Sequence, residues 1–249
     1  MRHRPRKRFG QHFLHDPAVL ARIVAAIAPQ PNELLVEIGP GEGALTRLLA
    51  ARAGRLVAIE IDRDLAARLA REFAAERLEL YCADALDFDL ARLPAGARLV
   101  GNLPYHISTP LLFRVADLGA RVRDCHFMLQ REVVERMVAA PSTPQYGRLS
   151  VMLQARFAME RLFVVAPGAF RPPPKVESAL VRMRPLGAPE PPAAFAALVR
   201  RAFSARRKTL RNALGLAPQE LAALGLDPAL RPENLSPQDY LRIAATCAR

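Results

Sequence analysis

The stretch "ELLVEIGPGEGALT", residues 33–46, joins a short apolar run to a glycine-rich turn and then to a helix-like pattern. An apolar run of this length that leads through a turn into a helix is typical of a buried parallel strand and its crossover helix. Glycines at such a junction let the backbone approach a ligand closely. The stretch therefore predicts an α/β fold with a ligand site at the turn.

The same pattern recurs downstream, with helical stretches at residues 45–53 and 65–75 between the apolar runs. Four further runs are "RLVAIEID" (55–62), "RLELYCAD" (77–84), "ARLVGN" (97–102) and "DCHFMLQ" (124–130). Alternating buried strands and helices predict a parallel sheet. Two later pieces, residues 160–170 and 178–185, are predicted to form an antiparallel hairpin at the sheet edge, which makes about seven strands.

The two ends of the chain are predicted to be helical. Before the sheet, a helix is predicted from Pro17 to Ala28 with Asp16 as its N-cap. "PLGAPEPPAA" (185–194) is rich in proline and is predicted to be a linker. After it, helices are predicted at residues 195–214, 219–224 and 237–247. We therefore expect a domain at residues 1–186 and a small all-helical domain at residues 187–249.

Composition narrows the class of protein. The 249 residues include 36 Lys and Arg against 24 Asp and Glu, a net charge of +12, which favours a polyanionic partner. Three scattered cysteines argue against a disulfide framework or a zinc site. No run of about 18 apolar residues is present, and the basic N-terminus lacks the apolar region of a signal peptide. We expect a cytoplasmic protein without a membrane partner.

Three polar positions follow three successive predicted strands. Gly39, Gly41 and Ala44 satisfy the G-x-G-x-x-G/A pattern of dinucleotide sites. Glu60 lies 21 residues after Gly39, where a carboxylate can accept hydrogen bonds from ribose hydroxyls. Asp84 is placed to accept from an adenine amino group, or else to cap a helix or turn. This set suits both NAD and S-adenosylmethionine.

The stretch "VGNLPYHIS", residues 100–108, separates these two cofactors. Hydride transfer has no need of an amide and an aromatic ring in this order, whereas methylation of an exocyclic amine does. Asn102 and the carbonyl of Leu103 or Pro104 can bind the amine hydrogens, while Tyr105 stacks on the base. Pro104 restricts the turn and so preserves this geometry. The predicted cofactor is S-adenosyl-L-methionine.

Two basic clusters are candidates for RNA binding. Residues 195–214 are predicted to form one amphipathic helix without a single acidic residue, so a phosphate-binding face is favoured over a solvated one. Its basic face comprises Arg200, Arg201, Arg207, Lys208 and Arg211. Arg206 falls on the apolar side and is expected to extend to solvent or to form an ion pair. A second cluster, predicted to be a mobile arm, comprises Arg2, Arg4, Arg6, Lys7 and Arg8.

Six ordered motifs make the sequence similar to a known family across nearly its whole length. They are "RKRFGQHFL" (6–14), "EIGPGEGALT" (37–46), "AIEIDRDL" (58–65), "NLPYHIS" (102–108), "FRPPPKVESALVRMRP" (170–185) and "FSARRKTLRNAL" (203–214). The chain resembles the KsgA (RsmA) family of bacterial 16S rRNA adenine dimethyltransferases. The resemblance implies a Rossmann-like, seven-stranded S-adenosylmethionine-dependent methyltransferase fold with a small all-helical C-terminal domain.

The resemblance also implies an activity and its residues. The activity is dimethylation of the exocyclic amino groups of two adjacent adenosines in the 3′-terminal hairpin loop of 16S rRNA, within an immature small ribosomal subunit. The implied cofactor contacts are His12, Leu14, Gly39, Glu60, Asp84 and Asn102. The implied catalytic motif is Asn102 to Tyr105, and Phe170 is a second base-stacking ring. His12 and His106 depart from the family, which often has asparagine at the first position and asparagine or glutamine at the second.

The sequence is also compatible with other classes of protein. A resistance methyltransferase acting on a large-subunit rRNA adenine shares the glycine loop and an Asn-Tyr motif, although the "NLPY" form and residues 203–214 favour the small-subunit enzyme. A non-catalytic assembly factor is a second alternative, against which the intact Asn102–Tyr105 motif argues. The absence of a Pro-Cys nucleophile argues against a cytosine-C5 methyltransferase. His12, His15 and Asp16 have no further ligand at metal spacing, so we expect no metal, and we expect a monomer.

Overall fold

A seven-stranded sheet forms the centre of the computed structural model, which describes residue 6 and residues 10–246. The strands of this sheet are β2 (Leu34–Ile38), β3 (Arg55–Glu60), β4 (Leu78–Cys82), β5 (Ala97–Asn102), β6 (Val122–Gln130), β7 (Phe157–Val165) and β9 (Ser178–Pro185). The remaining two strands, β1 (Phe13–Leu14) and β8 (Phe170–Arg171), pair with each other in a separate antiparallel ribbon.

The strand order of the large sheet is β4-β3-β2-β5-β6-β9-β7. The first five strands are parallel, and β9 is antiparallel to β6. This order is that of a Rossmann sheet, 3-2-1-4-5-6, with β9 inserted between the last two strands. The predicted number of strands and the placement of the last two strands together at the edge are confirmed.

Helices connect the strands and complete the chain. They are α1 (Pro17–Ile27), α2 (Ala44–Ala50), α3 (Arg63–Glu72), α4 (Tyr105–Leu118), α5 (Arg131–Val138), α6 (Arg148–Gln154), α7 (Phe195–Ser204), α8 (Leu210–Leu214), α9 (Pro218–Ala223) and α10 (Pro237–Thr246). Helix α1 begins as predicted, because the Asp16 carboxylate accepts from the backbone N–H groups of Ala18 and Val19 at 2.8 and 3.0 Å.

A large apolar cluster lies on one face of the sheet. It joins Ile27 of α1 and Leu49 of α2 to strand residues Leu35, Leu56 and Val100, each of which is at most 1% exposed. Burial of one such side chain contributes about 1.5–3 kcal/mol. Because the strands are fixed by this packing, the loops at their carboxyl ends are held in a defined arrangement.

The structure contains two compact units. The first comprises residues 1–134 and 159–185, and the second comprises residues 135–158 and 186–249. Residues 135–158, which the sequence prediction assigned to the first domain, thus group with the C-terminal helices. In this unit the Tyr146 hydroxyl donates to the Leu235 carbonyl at 2.8 Å, and the Phe203 ring contacts the rings of Tyr146 and Tyr240.

The prediction of one continuous helix over residues 195–214 is wrong. Helix α7 ends at Ser204, a turn follows, and α8 begins at Leu210. The Lys208 N–H donates to the Ala205 carbonyl within the turn, and Thr209 adopts an extended conformation that restarts the helix. Amphipathic spacing continues through the break, so the pattern alone did not reveal it.

Several features concern only the described part of the chain. No helix in residues 10–246 is long and apolar enough to cross a membrane. No group of three or more potential metal ligands occurs among these residues either.

Cys82 is exposed and Cys125 is buried, both as free thiols, and Cys247 lies outside the described residues. Of the N-terminal basic cluster only Arg6 is described, and its guanidinium forms ion pairs with Asp62 and Asp64.

Candidate active site

The chain order of the parallel strands reverses between β2 and β5, which are neighbours in the sheet. In open α/β sheets, ligands bind outside the carboxyl ends of the strands at such a switch point. A cavity lies here in the first unit, lined by the loops that follow β2, β3, β4 and β5 and by residues 10–14. Gly39, Glu60, Asp84 and Asn102, predicted from four separate motifs, all line it.

The glycine loop, residues 39–43, has a backbone conformation that is strained for residues other than glycine. Gly39 and Gly41 have φ angles of 70° and 58°, in the left-handed region. A Cβ atom at Gly41 would also lie 3.0 Å from the Phe13 ring. The Gly39 N–H donates to the Ile59 carbonyl at 2.9 Å, which ties the loop to the next strand. The loop therefore exposes backbone to the cavity without a side chain in the way.

Glu60 is the last residue of β3 and is 4% exposed. Burial raises the pKa of its carboxyl, whereas hydrogen bonds from the backbone N–H groups of Asp62 and Gly41 lower it. These bonds measure 2.8 Å to Oε1 and 3.0 Å to Oε2. Each oxygen is thus positioned by the backbone, a further backbone bond from Ile61 also lowers the pKa, and burial prevails, so the pKa is raised overall. The carboxylate has acceptor sites left for a ligand.

Asp84 follows β4 and is half-buried at the cavity wall. Its Oδ1 accepts from the Leu86 N–H at 2.8 Å, which is the turn role considered from the sequence. Within residues 10–246, no group donates a hydrogen bond to its Oδ2. The turn and ligand roles are therefore compatible, because they use different oxygens.

Asn102 ends β5, and its side-chain orientation is defined by the backbone of another segment. Its Nδ2 donates to the His12 carbonyl at 2.8 Å. Since a carbonyl can only accept, this bond assigns the amide nitrogen and leaves Oδ1 as the remaining acceptor. The acceptor that the sequence analysis required is therefore present, and residue 12 orients it.

The rest of the motif turns the chain into α4. Leu103 is 1% exposed, and its N–H donates to the Met128 carbonyl at 3.1 Å. Pro104 has φ −58° and ψ 132°, and its carbonyl accepts from the Ile107 N–H at 3.2 Å. The described backbone makes no such bond to the Leu103 carbonyl. Of the two carbonyls predicted to bind the amine, that of Leu103 is therefore the better acceptor.

His12 and Leu14 reach the cavity through the small ribbon. Strand β1 pairs with β8 in the register Leu14↔Phe170, and the His12 Nδ1–H donates to the Pro172 carbonyl at 2.8 Å. The His12 ring also stacks against Tyr105 with a centroid distance of 5.6 Å. His12 and Leu14 both line the cavity, as does the exposed His106.

Phe170 is not brought to the cavity. Its side chain is 2% exposed and belongs to the apolar cluster of the first unit, together with Leu14 and Leu180. The pairing of β8 with β1 directs the ring into the core, where apolar packing stabilises it. Its predicted role as a second stacking ring is therefore not supported by this structure.

Two buried ionisable residues that line the cavity, Glu37 and His126, were not predicted from the sequence. Glu37 is 2% exposed, its Oε2 has no hydrogen-bond partner among the described residues, and burial raises the pKa of its carboxyl to about 7. His126 is 2% exposed, and both of its ring nitrogens lack a hydrogen-bond partner within the described chain, although Nδ1 lies 3.7 Å from Asp124 Oδ1. Burial lowers its pKa to about 4. A charged residue inside the apolar run "ELLVEIG" was a signal for Glu37.

The predicted RNA-binding cations lie in the second unit. Arg200 and Arg201 are on α7, Arg207 and Lys208 are in the turn, and Arg211 is on α8. All five side chains are exposed although the helix is interrupted. Arg206 forms an ion pair with Glu233 at 3.7 Å and donates to the Pro144 carbonyl at 3.3 Å, which confirms the expectation that it pairs.

The sheet order, the glycine loop and the Asn-Leu-Pro-Tyr turn define a Rossmann-like methyltransferase. The family model for ribosomal RNA adenine dimethylases matches residues 2–249. The chain belongs to the ribosomal RNA adenine dimethylase family.

Similar sequences and structures agree with this family. The chain is 56% identical over 250 residues to "Ribosomal RNA small subunit methyltransferase A" of Chromobacterium violaceum, with 98% of this chain and 95% of the relative covered. The protein of the same name from Aromatoleum aromaticum is 58% identical over 247 residues, covering 97% and 93%.

Two crystal structures share the fold over nearly the whole chain. A dimethyladenosine transferase from Plasmodium falciparum has a TM-score of 0.82 at 25% identity, covering 93% of this chain and 96% of that one. The 23S rRNA methyltransferase ErmE has a TM-score of 0.73 at 27% identity, covering 95% and 100%.

Proposed function

We propose that this protein transfers methyl groups from S-adenosyl-L-methionine to the exocyclic amino groups of two adjacent adenosines in the 3′-terminal hairpin loop of 16S rRNA, within an immature small subunit. The observation that carries the proposal is the cavity in which the Asn102 amide and the Tyr105 ring adjoin an acid-lined pocket at the switch point. The small-subunit names of relatives at 56–58% identity favour 16S rRNA over the 23S substrate of ErmE, which is 27% identical.

The charge of the cavity favours a sulfonium cofactor over a dinucleotide. Its described lining includes the acidic side chains of Glu42, Glu60 and Asp84, and of Glu37 with a pKa raised to about 7, but neither lysine nor arginine. S-adenosylmethionine carries a sulfonium and an ammonium group, whereas NAD carries a pyrophosphate. Carboxylates attract the sulfonium and ammonium groups and repel the pyrophosphate, and this repulsion is strong in a partly desolvated site.

The cavity residues suit the parts of this cofactor. The remaining lone pairs of Glu60 would accept hydrogen bonds from the ribose hydroxyls, and Asp84 would accept through Oδ2 from the adenine amino group. Gly39 offers bare backbone, and Leu14 adds an apolar wall. His12 would contribute through its position beside Asn102 and Tyr105.

When bound, S-adenosylmethionine supplies an electrophilic methyl group. The amine lone pair of adenine is delocalised into the purine, so the protein must favour its localisation. Asn102 Oδ1 and the Leu103 carbonyl accept the amine hydrogens, and the base stacks on Tyr105. Pro104 maintains the turn that holds these groups together. The amine proton passes to water after transfer, so no general base is required.

The exposed cations of the second unit would bind RNA phosphates. Arg200, Arg201, Arg207, Lys208 and Arg211 supply this charge. The target adenosines must leave the base stack to enter the cavity, which is least costly in a hairpin loop. The substrate places the reaction in the cytoplasm.

Transfer to purified ribosomal particles tests the proposal. We expect the protein to produce dimethyladenosine at two adjacent positions of 16S rRNA when it is incubated with unmodified small subunits and labelled S-adenosylmethionine, as measured by mass spectrometry of nuclease fragments. Large subunits are the matched control and should remain unlabelled. Label in 23S rRNA, or no label in either particle, would contradict the proposed function.

A further inference from the structure

A serine outside the Asn102–Tyr105 motif contacts the hydroxyl of the stacking tyrosine. The Tyr105 hydroxyl and the Ser178 Oγ are 2.7 Å apart. Ser178 is the first residue of β9 and pairs with Gln130 of β6, so it is attached to the rigid sheet. Ser178 is 73 residues from Tyr105 in the chain. The contact was not predicted from the motifs that contain the two residues, at 102–108 and 170–185.

The Ser178 hydroxyl has a single role among the contacts that the structure describes. The residue is 0% exposed and is followed by the buried Ala179, Leu180 and Val181. Among described residues, Tyr105 is the hydrogen-bond partner of its Oγ. A buried hydroxyl is unfavourable unless it is paired, so an alanine here would suit the apolar surroundings better if packing were the only requirement.

Two further contacts restrain Tyr105. Its backbone carbonyl accepts from the Ser108 Oγ at 2.9 Å, and its ring stacks against His12 with an interplanar angle of 29°. The backbone is therefore held through Ser108, one face of the ring is held by His12, and the far end of the ring is held by Ser178. Tyr105 lines the cavity, where the proposed function requires its ring to stack on a base.

We propose that Ser178 is a positioning residue that sets the plane of the Tyr105 ring, and thereby the orientation in which the target adenine stacks. Without the hydroxyl contact the ring can rotate about its side-chain bonds, and a misaligned base presents its amine less often to Asn102 Oδ1. This role depends on the proposed function, because it acts only through the stacked adenine.

A double-mutant cycle tests this role in single-turnover methyl transfer to unmodified small subunits. We expect Ser178→Ala to lower the rate about three- to tenfold, the scale of one hydrogen bond. Tyr105→Phe keeps the ring and should cost a similar factor. Because both changes remove the same contact, the double variant should be no slower than Tyr105→Phe alone. Ser178→Cys, which hydrogen-bonds weakly, should give an intermediate rate.

Ser108→Ala is the matched control, because Ser108 is also buried and also contacts Tyr105, but through the backbone carbonyl. Its effect should multiply with that of Tyr105→Phe. Melting temperatures of all variants report whether they fold. An equal loss from Ser178→Ala in both tyrosine backgrounds, or none in either, overturns the positioning role alone. A wild-type protein inactive on small subunits overturns the proposed function as well.

Discussion

One backbone carbonyl determines which end of the Asn102 amide faces the cavity. Its amide nitrogen is held by the His12 carbonyl, 90 residues away in the chain. Without that bond the amide could present its NH₂ group to the substrate and would then repel the amine that it has to accept. A segment outside the predicted catalytic motif therefore orients the catalytic acceptor.

We expect Asn102→Ala to retain the fold, because a half-buried residue at a strand end leaves no large cavity. The lost acceptor acts mainly in the transition state, so turnover should fall about a hundredfold, or about 3 kcal/mol, with little change in RNA affinity. Single-turnover rates and RNA binding measured in parallel check this. Near-normal transfer would contradict the proposed chemistry.

Glu60→Ala should weaken S-adenosylmethionine binding by about 1.5–3 kcal/mol, the range for charge-assisted hydrogen bonds to a buried ligand. Calorimetry measures the affinity. Glu42→Ala is a suitable control, since Glu42 also lines the cavity but is 35% exposed and lies 3.9 Å from Arg68. Equal losses in the two variants would exclude a specific ribose contact for Glu60.

Glu37 and His126 make opposite contributions to the pH dependence of stability. Burial raises the pKa of Glu37 from 4.5 to about 7. Between pH 4.5 and about pH 7 the folded state therefore binds more protons than the unfolded state. As a result, stability falls as pH rises through this range. Burial lowers the pKa of His126 from 6.5 to about 4, so the unfolded state binds more protons there and stability falls as pH drops.

The two effects offset each other between about pH 4.5 and 6.5, and single variants should separate them. Relative to the wild type, Glu37→Gln should gain stability as pH rises from 4.5 to 7, by up to about 3 kcal/mol. His126→Gln should gain relative stability as pH falls from 6.5 to 4. Urea unfolding across this range measures both slopes, and curves parallel to the wild type would contradict these pKa values.

At the scale of elements, a buried ionic cluster joins the amino ends of the parallel strands. Arg98 of β5 donates to Asp124 of β6 at 2.8 and 2.9 Å, to Glu33 before β2 at 2.6 Å, and to the Ile27 carbonyl at the end of α1 at 2.6 Å. Burial favours the neutral acid, but the hydrogen bonds from Arg98 and the Gln30 N–H, together with the charges of Arg98 and Arg123, outweigh it and lower the pKa of Glu33. One guanidinium thus connects three elements and a helix end.

Removal of this guanidinium should leave the buried carboxylates of Glu33 and Asp124 without the hydrogen bonds that it donates. We expect Arg98→Ala to lower the free energy of unfolding by about 3–5 kcal/mol. Arg123→Ala is the matched control, because Arg123 also contacts Glu33 but its side chain is 60% exposed, and it should cost less than about 1 kcal/mol. Urea unfolding at neutral pH compares them, and similar losses would show that burial of the pair is not decisive.

At the scale of the whole molecule, charge is distributed unevenly. The chain carries a net charge of +12, yet the described cavity lining holds four carboxylates and no lysine or arginine. The acids suit a cationic cofactor, whereas the basic surface suits a polyanion. Cofactor binding and RNA binding should therefore respond differently to salt.

Replacement of Arg207, Lys208 and Arg211 by alanine should weaken RNA binding and flatten its salt dependence, by about 0.7–0.9 log units of slope per lost phosphate contact. Cofactor affinity should not change. An equal change of charge in the first unit, with exposed Arg52, Arg71 and Arg77 replaced, provides the control. An unaltered slope in the first variant would show that these cations do not contact phosphate.

The sequence alone determined the order and type of most elements and the cavity residues at the ends of four parallel strands. Strand runs and the Asp16 cap are local patterns, and the carboxyl ends of parallel strands meet at one edge. Gly39, Glu60, Asp84 and Asn102 could therefore be placed together without coordinates, and the structure brings all four to one cavity.

Only the tertiary structure decided the contacts between distant segments. The burial of Phe170 follows from the pairing of β8 with β1, and the Ser178 contact follows from the position of β9 next to β6. The burial of Glu37 and His126 without a hydrogen bond to Glu37 Oε2 or to either imidazole nitrogen, among the described residues, depends on the elements that pack over the sheet. Periodicity and capping act over a few residues, whereas burial and pairing depend on which elements pack, and that choice is made by the whole chain.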